Sequence, residues 1–591
     1  MAPELKKAAV YANMPINDMI AWNVAIDRAT HNPYAKNIAP RNPYTPAMFP
    51  NGSFLGSPAA TAAFFNSGAK PQRGYNDQDF WAVDTKLLIQ PTDNFKVTIA
   101  GDWARKNDSG GTQIYSTTPE FLQAFIPIFF ESVGIPGVRL PPGFVKGSDG
   151  KFTMEKSIPA FADLQDYGGS ITAVYSLPNV DLTSITAYRA QQTNFFEALD
   201  AAPVPMLDVL VRNRKGFVYQ EFRAVSTGEG PFHYLGGGTY LSTHFKGMTD
   251  LSIFLPLVPE EPTVRSKDHV KNWSIYGQVG YDFTPRLNLT VSGRYVHEKN
   301  EARFSFPDNS ATSMTGKKFL PSATLSYKLD DNGNVYARFA RGFKAGGVNP
   351  VASPSAFPDP NQGSTFKPEV VDTYEVGFRG ALLERKMQVT TAFFYNDYSN
   401  LQVSAHANPE HPEIILAIVN AGSARTWGWE GNVTWRVSEP LTLGVAAGYL
   451  NAKYKHFAVT DATVLVPFDL SGSVMLNSPK WQLSLTANLD QPINDKFRLV
   501  ANAVGSHVSG VLFQPSGAPG LIPDATAPGY WVANLRVGVR TADDKYGLAV
   551  FANNLFNEGY ATYGSSSAAS GGNLLTWGNP RIVGVEATTK F

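Results

Sequence analysis

The stretch Trp481-Gln-Leu-Ser-Leu-Thr-Ala-Asn-Leu489 alternates strictly between apolar and polar residues, and the turn-forming run Gln491-Pro-Ile-Asn-Asp495 follows it closely. Alternation with a period of two is typical of a β-strand that has one apolar and one polar face. Pro, Asn and Asp are residues that tight hairpin turns favour. Together these features predict a strand that ends in a short hairpin, and the same combination recurs along the chain.

Short polar turns recur through the sequence, and successive turns are separated by two strand-like runs and one longer connection. Alternating short and long connections indicate an up-and-down sheet. The ten predicted turns are Pro15–Asp18, Pro91–Asn94, Ser176–Asn179, Gly228–Pro231, Phe283–Arg286, Asp330–Gly333, Leu383–Lys386, Val437–Pro440, Gln491–Asp495 and Thr541–Lys545. A strand on each side of every turn, with one more at Pro580–Phe591, gives about 21 strands, whereas bacterial single-chain barrels have an even number.

The two faces of the predicted strands differ in chemistry. Along Tyr530–Thr541, one face carries Trp531 and Leu535 and the other carries Asn534 and Arg536. A soluble β-array would alternate too, but these strands run about ten or more residues, as a tilted membrane-crossing strand requires, against about five or six in soluble sheets. We therefore predict an all-β protein: a transmembrane antiparallel β-barrel of the 22-strand type, whose polar face lines a wet lumen.

Aromatic residues cluster near the ends of predicted strands, as the interfacial girdles of membrane barrels do. These residues are Trp273, Tyr281, Phe283, Trp481, Tyr530, Trp531 and Tyr546. The alternation also fixes the phase of each strand. It predicts that Leu485 and Leu535 face lipid and that Ser484 and Asn534 face the lumen.

The composition is compatible with a membrane barrel and excludes several other classes. The 591 residues carry 50 Lys and Arg against 50 Asp and Glu, so the charge gives no support for nucleic-acid binding. There is no cysteine, which excludes disulfides and thiolate metal sites. No run of eighteen or more apolar residues occurs, so a transmembrane helix is not expected.

Several segments, in their order along the chain, resemble the TonB-dependent outer-membrane receptors. They are Tyr336–Asn349, Phe366–Phe378, Asn420–Glu430, Asn553–Asn557 and Pro580–Phe591. The resemblance covers most of the chain and implies a 22-stranded barrel that follows a plug domain. The C-terminal Phe591, which closes an alternating strand, resembles an assembly signal for outer-membrane insertion.

The resemblance also places the N-terminus within the family's barrel. Met14–Arg28 resembles the second periplasmic turn region, so residues 1–591 would run from strand two to the C-terminus. The signal peptide, the TonB box, the plug and the first strand would then be missing, in agreement with the odd strand count. Met1–Lys7 has no apolar core of a signal peptide after it. A mis-assigned start codon or gene fragment and a genuine plugless porin are the alternatives.

The resemblance implies an outer-membrane receptor of a Gram-negative bacterium that imports a scarce nutrient by TonB-coupled active transport. An iron-siderophore complex is the expected ligand, with cobalamin and plant glycans as rivals. A passive ungated channel and a non-functional receptor fragment are alternative functions. Expected partners are outer-membrane lipid and lipopolysaccharide, the barrel-assembly machinery, a ferric chelate or other nutrient, and the TonB complex only if the missing plug is supplied. No cofactor and no enzymatic activity are expected, because no phosphate loop or nucleophile elbow is present.

The long connections fall on one side of the sheet, which the resemblance places outside the cell. Loops on a rigid scaffold carry function, so ligand capture is expected there. Phe121, Phe125, Phe129 and Phe130 are candidate contacts for a bulky chelate, and packing of loop against loop is the alternative. The predicted loops span residues 29–79, 107–165, 193–216, 247–267, 302–313, 345–366, 456–478, 510–529 and 556–577.

Two groups of histidines and carboxylates are candidates for metal binding. His406, Glu410 and His411 lie near a predicted loop tip, where imidazole and carboxylate could hold a first-row metal. A plain solvated turn is the alternative. His297 and Glu298 do not form a zincin motif, which needs a second His on the same helix face. We expect Glu298 to be a strand residue that faces the lumen.

Overall fold

A computed structural model describes most of the residues of the chain. These are residues 5–39, 44, 59, 62–63, 74–109, 114–116, 131, 137, 139, 153–154, 156, 159–198, 207–253, 263–305, 310–349, 365–405, 417–461, 466–514, 524–567 and 572–590. Within them, no helix is long and apolar enough to cross a membrane.

The described residues form long antiparallel strands and a smaller number of short strands in the connections. In chain order they are β1 (Leu5–Asn17), β2 (Ile20–His31), β3 (Ala35–Asn37), β4 (Gly74–Tyr75), β5 (Gln78–Thr92), β6 (Phe95–Asp108), β7 (Ile114–Ser116), β8 (Thr153–Met154), β9 (Phe161–Leu177), β10 (Val180–Ala198), β11 (Leu207–Ser226), β12 (Phe232–Ile253), β13 (Thr263–Asp282), β14 (Leu287–Phe304), β15 (Ser310–Asp330), β16 (Gly333–Lys344), β17 (Gly347–Val348), β18 (Thr365–Phe366), β19 (Glu369–Leu382), β20 (Met387–Ala405), β21 (Ala417–Arg436), β22 (Leu441–Asp461), β23 (Val466–Asp469), β24 (Trp481–Pro492), β25 (Phe497–Val508), β26 (Val511–Gln514), β27 (Ala525–Ala527), β28 (Tyr530–Thr541), β29 (Tyr546–Asn553), β30 (Ala561–Ser567), β31 (Gly572–Trp577) and β32 (Ile582–Thr589).

One large sheet forms a nearly closed antiparallel barrel. It contains 22 strands, of which β23 pairs only with the loop end of β22, so 21 strands make the wall. Each wall strand pairs with the next wall strand along the chain, from β1 with β2 to β29 with β32. The edge strands approach each other, since Lys7 of β1 and Glu586 of β32 interact electrostatically. The predicted fold class and strand number are confirmed.

The short connections lie where the sequence predicts turns. All ten predicted turns join two consecutive wall strands, as residues 283–286 join β13 to β14 and residues 383–386 join β19 to β20. At the second of these, Leu383, Glu384 and Arg385 all have positive φ, which tight hairpins require of their central residues. The long connections therefore all lie at the other end of the barrel.

Alternation of the strands places apolar residues outside and polar residues inside. Leu485 and Leu535 belong to the outward-facing apolar surface, with exposed fractions of 41% and 37%. Asn534 faces inward, where its side chain accepts a hydrogen bond from the backbone N–H of Asn554 at 2.8 Å. Exposed apolar side chains are stable on this surface only because lipid surrounds it.

The wall is much taller on one side than on the other. The tall wall, β10 to β15, has strands of 18 to 22 residues. The short wall, formed by β24, β25, β28, β29 and β32, has strands of 8 to 12 residues. A tilted strand crosses the bilayer in about 9–11 residues. The tall wall therefore continues far beyond the membrane on the loop side.

The structure corrects three sequence-based predictions, the first two through the height of the tall wall. Much of the predicted loops 193–216, 247–267 and 302–313 is strand, because β10 ends at Ala198 and β11 begins at Leu207, and β12 to β15 extend in the same way. Trp273 lies in the middle of β13 and not at its end. Tyr530 is not part of the outer girdle, since it stacks on the loop residue Tyr560 with ring centroids 4.7 Å apart.

Candidate functional site: the lumen wall and the loop platform

The inner face of the tall wall carries a carboxylate held by two tyrosines. Glu221 accepts a hydrogen bond from the Tyr219 hydroxyl at 2.7 Å and another from the Tyr276 hydroxyl. Arg223 lies 3.9 Å from the same carboxylate, and the Arg294 guanidinium stands 5.7 Å from the centre of the Tyr276 ring. Strict register between β11, β12, β13 and β14 brings these residues together on one face.

A second inner-face group lies on β6, β9 and β10. The Arg189 guanidinium donates hydrogen bonds to both carboxylate oxygens of Asp102 at 2.8 Å, and it also pairs with Asp166. Both bonds to Asp102 come from one guanidinium nitrogen, Nη2, while Nη1 donates to Asp166, so the single cation joins two carboxylates by charge-assisted hydrogen bonds. Arg189 and Asp102 are 87 residues apart in the sequence, so no local pattern could have predicted the pair.

A third network lies at the turn end of the short wall. Asp490 accepts hydrogen bonds from Arg498 at 2.7 Å and from Arg540 at 2.6 Å. Arg540 pairs also with Asp544 of the adjoining turn, and Asp544 pairs with Lys590 just beyond β32. The network therefore links β24, β25, β28 and the end of β32 across the inner face.

Two residues that the sequence analysis assigned to the polar face lie there in the structure. Glu298 accepts a hydrogen bond from the side-chain amide of Asn272 at 2.9 Å, which confirms its predicted lumen position. Arg536 pairs with Glu586 at 2.6 Å. The inner face of the barrel is thus rich in hydrogen-bonded ion pairs, in agreement with the polar interior that is typical of transmembrane β-barrels.

Above the lumen, loop segments pack into a platform at the loop end. Lys156 has only 1% of its side chain exposed, and its ammonium lies 2.8 Å from Glu197 at the top of β10. The same ammonium stands 5.5 Å from the centre of the Tyr75 ring, a cation–π contact. Burial raises the pKa of Tyr75, and the nearby Glu197 carboxylate raises it further. The platform is therefore a fixed base for the longer loops.

The platform is tied to the last long connection as well. The Tyr34 hydroxyl donates a hydrogen bond to Asn579 at 2.5 Å and accepts one from Asn76 at 3.2 Å. Burial raises the pKa of Tyr34 to about 12, so it stays neutral near pH 7. Strand pairing between β31 and β7 joins the last long connection to the one that follows β6. Three long connections therefore meet above one part of the lumen.

The site residues proposed from sequence lie outside the described residues. These are the loop aromatics Phe121, Phe125, Phe129 and Phe130, the metal candidates His406, Glu410 and His411, and the terminal Phe591. All of them stay predictions. Within the described part of the chain, no group of three or more His, Asp and Glu residues is arranged to hold a metal ion.

Comparison with known proteins gives one family. The family model for "TonB dependent receptor-like, beta-barrel" matches residues 22–555. The ferric-pyoverdine M114 receptor PbuA of Pseudomonas sp. (strain M114) is 26% identical over 324 residues, which are 53% of this chain and 35% of that receptor. The pesticin receptor of Yersinia pestis is 23% identical over 337 residues, which are 54% of this chain and 43% of the relative. The chain thus aligns with less than half the length of these curated relatives.

Solved structures agree on the fold. The ferric yersiniabactin uptake receptor FyuA of Yersinia pestis superposes with a TM-score of 0.75 at 16% identity, over 100% of this chain and 79% of that one. The siderophore receptor PiuA of Acinetobacter baumannii superposes with a TM-score of 0.71 at 14% identity, over 99% of this chain and 80% of that one. At such identities the likeness concerns the barrel architecture.

Proposed function

This chain belongs to the TonB-dependent receptor-like β-barrel family, and from that premise we propose that it imports a ferric siderophore across the outer membrane by TonB-coupled transport. The family consists of receptors and transporters in the outer membrane of Gram-negative bacteria, and it is not a family of enzymes. The observation that carries the choice of ligand is chemical agreement among most of the relatives: three of the four described above are named for ferric pyoverdine, for ferric yersiniabactin and for a siderophore, and the fourth is named for pesticin.

The geometry supports this proposal in two ways. The lumen wall presents paired charges and hydroxyls, such as the Glu221 and Arg189 groups, which suit the passage of a hydrated polar chelate. The loop platform around Lys156 holds the base of three long connections in fixed positions above the lumen. Preformed positioning of this kind reduces the entropy lost when a ligand binds.

An uptake experiment tests the proposal. The gene is deleted in its host, and entry of radio-iron bound to catecholate, hydroxamate or phenolate chelators is measured in iron-starved cells, with and without a protonophore. We expect the deletion to abolish entry of at least one chelate, and the protonophore to abolish the same entry in the parent. If the deletion leaves the entry of every chelate unchanged, the proposal that the ligand is a ferric siderophore is wrong.

The alternatives from the sequence are separated in the same strain. Residues 1–591 are expressed alone and, in parallel, together with whatever coding region lies upstream in frame. A passive channel would be indicated if the protonophore does not inhibit entry of the chelates and if unrelated solutes enter as well. Complementation only by the longer form would agree with the prediction that a plug and TonB box lie upstream, and no entry with either form would indicate a non-functional fragment.

Sidedness is tested by surface labelling. The proposed function needs the long connections outside the cell, so tags within residues 107–165 or 556–577 should be reached in intact cells. Tags at Asp331 or Asp544, in the short turns, should be reached only after the outer membrane is opened. Labelling of Asp331 in intact cells would contradict the orientation.

A further inference from the structure

Two histidines stack against each other on the outer face of the tall wall, above the membrane. His244 of β12 and His269 of β13 are direct Cα partners, and their ring centroids lie 4.1 Å apart with the ring planes at 22°. His269 is four residues from the exposed Trp273 on the same face of β13, which places it roughly 13 Å along the strand on the loop side of the aromatic girdle. We define His244 and His269 as the histidine pair.

The ring of His269 is held in one orientation, and the pair is open to water. The hydroxyl of Ser242 lies 3.1 Å from Nε2 of His269, and Ser242 is only 8% exposed. A cleft of about 500 Å³ borders both histidines, so water and protons reach them. Two imidazolium rings stacked at 4.1 Å would repel each other, so the stack requires that at least one histidine is neutral.

One carboxylate faces the histidine pair from the neighbouring strand. Glu301 of β14 is the direct Cα partner of His269, but its carboxylate already pairs with Lys299. Asp268 is next to His269 in the sequence, but alternation places its side chain on the inner face. Among the described residues of these strands, little negative charge therefore remains to stabilise a protonated ring.

Cations surround the histidine pair on four strands of this face. They occupy outward positions two residues along the strand from a histidine, and the positions opposite these on the adjoining strands. They are Arg214 of β11, Lys246 of β12, Lys267 and Lys271 of β13, and Lys299 and Arg303 of β14. Like charges that face each other on a sheet are destabilising, so a proton added to the histidine pair meets an unfavourable electrostatic field.

We propose that the histidine pair is a pH-sensitive switch, which releases the loop-side end of the β12–β13 hairpin when the surrounding medium becomes acidic. At neutral pH the two rings stack across the two strands. In acid the pair takes up protons, and the new charges repel each other and the surrounding cations. Separation of residues 244–250 from residues 263–269 relieves this repulsion. The switch acts at the base of one long connection, and it does not depend on which ligand is transported.

The direction of the pH effect follows from the environment of His269. Burial, and then the neighbouring His244 and Lys271, hold the pKa of His269 below its usual range, while Glu301 acts in the opposite direction. A histidine whose pKa is lowered in the folded protein takes up a proton more readily when the strands separate. The stability that it contributes is therefore complete above about pH 6.5 and is lost as the pH falls below that value.

Hydrogen exchange of backbone amides in the purified protein tests the switch. Protection factors for residues 244–250 and 263–269, corrected for the intrinsic pH dependence of exchange, are measured from about pH 7.5 to about pH 5. A single proton taken up on opening lowers the protection factor by up to about tenfold for each pH unit. We expect a fall of that order below about pH 6.5 in the natural protein. His244→Gln with His269→Gln should give a flat profile, and each single variant a shallower profile than the natural protein.

Matched variants separate the switch from a general loss of stability, which would lower the profile at every pH without changing its slope. Lys246→Gln with Lys267→Gln keeps the histidine pair but removes two surrounding cations, so the fall should become smaller. His507→Gln removes a histidine that stacks on Trp531 in the short wall, and it should leave the profile of the tall wall unchanged. A fall that persists in the double histidine variant, a fall of the same size in β29 of the short wall, or no fall in the natural protein would each overturn the proposal.

Discussion

The tall and short walls of this barrel follow the same alternation within the membrane but differ above it. In the short wall, Trp481 and Trp531 stand at the loop ends of their strands, so the wall ends near the aromatic girdle. In the tall wall, β13 continues for ten residues on the loop side of Trp273, as far as Thr263. Of these two walls, the tall wall alone presents a continuous strand surface above the bilayer.

The outward face of that extension differs in chemistry from the face within the membrane. Asn272 points into the lumen, where it binds Glu298, so Lys271 is the first outward-facing residue beyond Trp273. Lys267 faces outward as well, four residues farther along the strand. Outward positions therefore change from aromatic to cationic where the tall wall leaves the membrane.

The difference shows that the outward-facing residues of one strand adapt to two environments, the lipid of the bilayer and the water and polar headgroups above it. Within the bilayer, the outward positions must be apolar because lipid solvates neither charge nor unpaired backbone groups. Above the bilayer, both faces meet water or polar headgroups, and the alternation of apolar and polar residues is lost although the strand continues. The tall wall also supports the loop platform through Glu197, whereas the short wall carries its main ion network at the turn end.

The largest expected effect comes from breaking the link between the tall wall and the platform. Glu197→Gln leaves the buried ammonium of Lys156 without its carboxylate, and an uncompensated buried charge costs about 3–5 kcal/mol. We expect faster limited proteolysis of the connections around Lys156 and a lower denaturation midpoint. Glu301→Gln is the matched control on the same wall, since its pair with Lys299 is exposed and water screens the attraction between the two charges. Equal effects of the two variants would contradict a buried anchor.

The next effect tests the lipid-facing surface of the short wall. Leu485→Arg places a charge toward lipid near the middle of β24, which costs about 2–4 kcal/mol at the bilayer midplane. Ser484→Arg, one residue away on the inner face, should be tolerated. The measurement is the yield of folding into bilayers and the denaturant midpoint of the folded protein. If both variants behaved alike, the strand phase would be wrong.

The turns and the strand phase could be predicted from the sequence because both are local. Turn residues act within a few positions, and alternation along Trp481–Leu489 is visible without knowledge of any neighbouring strand. The loop-side strand ends could not be predicted in the tall wall. Outward residues such as Lys267 and Lys271 are as polar as their inward neighbours, so the period of two disappears from the sequence there.

For the candidate site, the sequence predicts only that a polar lumen lies below long loops, and it does not predict which residues pair there. The pairs that build it join distant positions, such as Arg189 with Asp102 and Lys156 with Glu197. These pairs depend on register and on loop packing, which a single sequence does not display. The alignment of Arg214, Lys246, Lys267 and Arg303 on the outer face of four neighbouring strands could not be predicted for the same reason, because each strand contributes one charge and only the register aligns them.

The smallest expected effect concerns the turn end of the short wall. The hydrogen bond from Lys590 holds the pKa of the Asp544 carboxyl below its usual range, and Arg540 acts in the same direction. A depressed folded-state pKa contributes stability that is present above the unfolded value of about 3.9 and is lost as pH falls through the folded value. We therefore expect the stability difference between the natural protein and Asp544→Asn to shrink as the pH is lowered from about 7 through 4 toward 2.

The denaturant midpoint measured across that pH range checks this prediction. Asp331→Asn, in the turn that follows β15 of the tall wall, is the matched control, because Asp331 makes no ion pair with a described residue. The control should not change the pH profile, whereas Asp544→Asn should flatten it. If the denaturant midpoint of Asp544→Asn depends on pH as steeply as that of the natural protein, the ion pairs of Asp544 with Arg540 and Lys590 do not stabilise the turn end of the short wall.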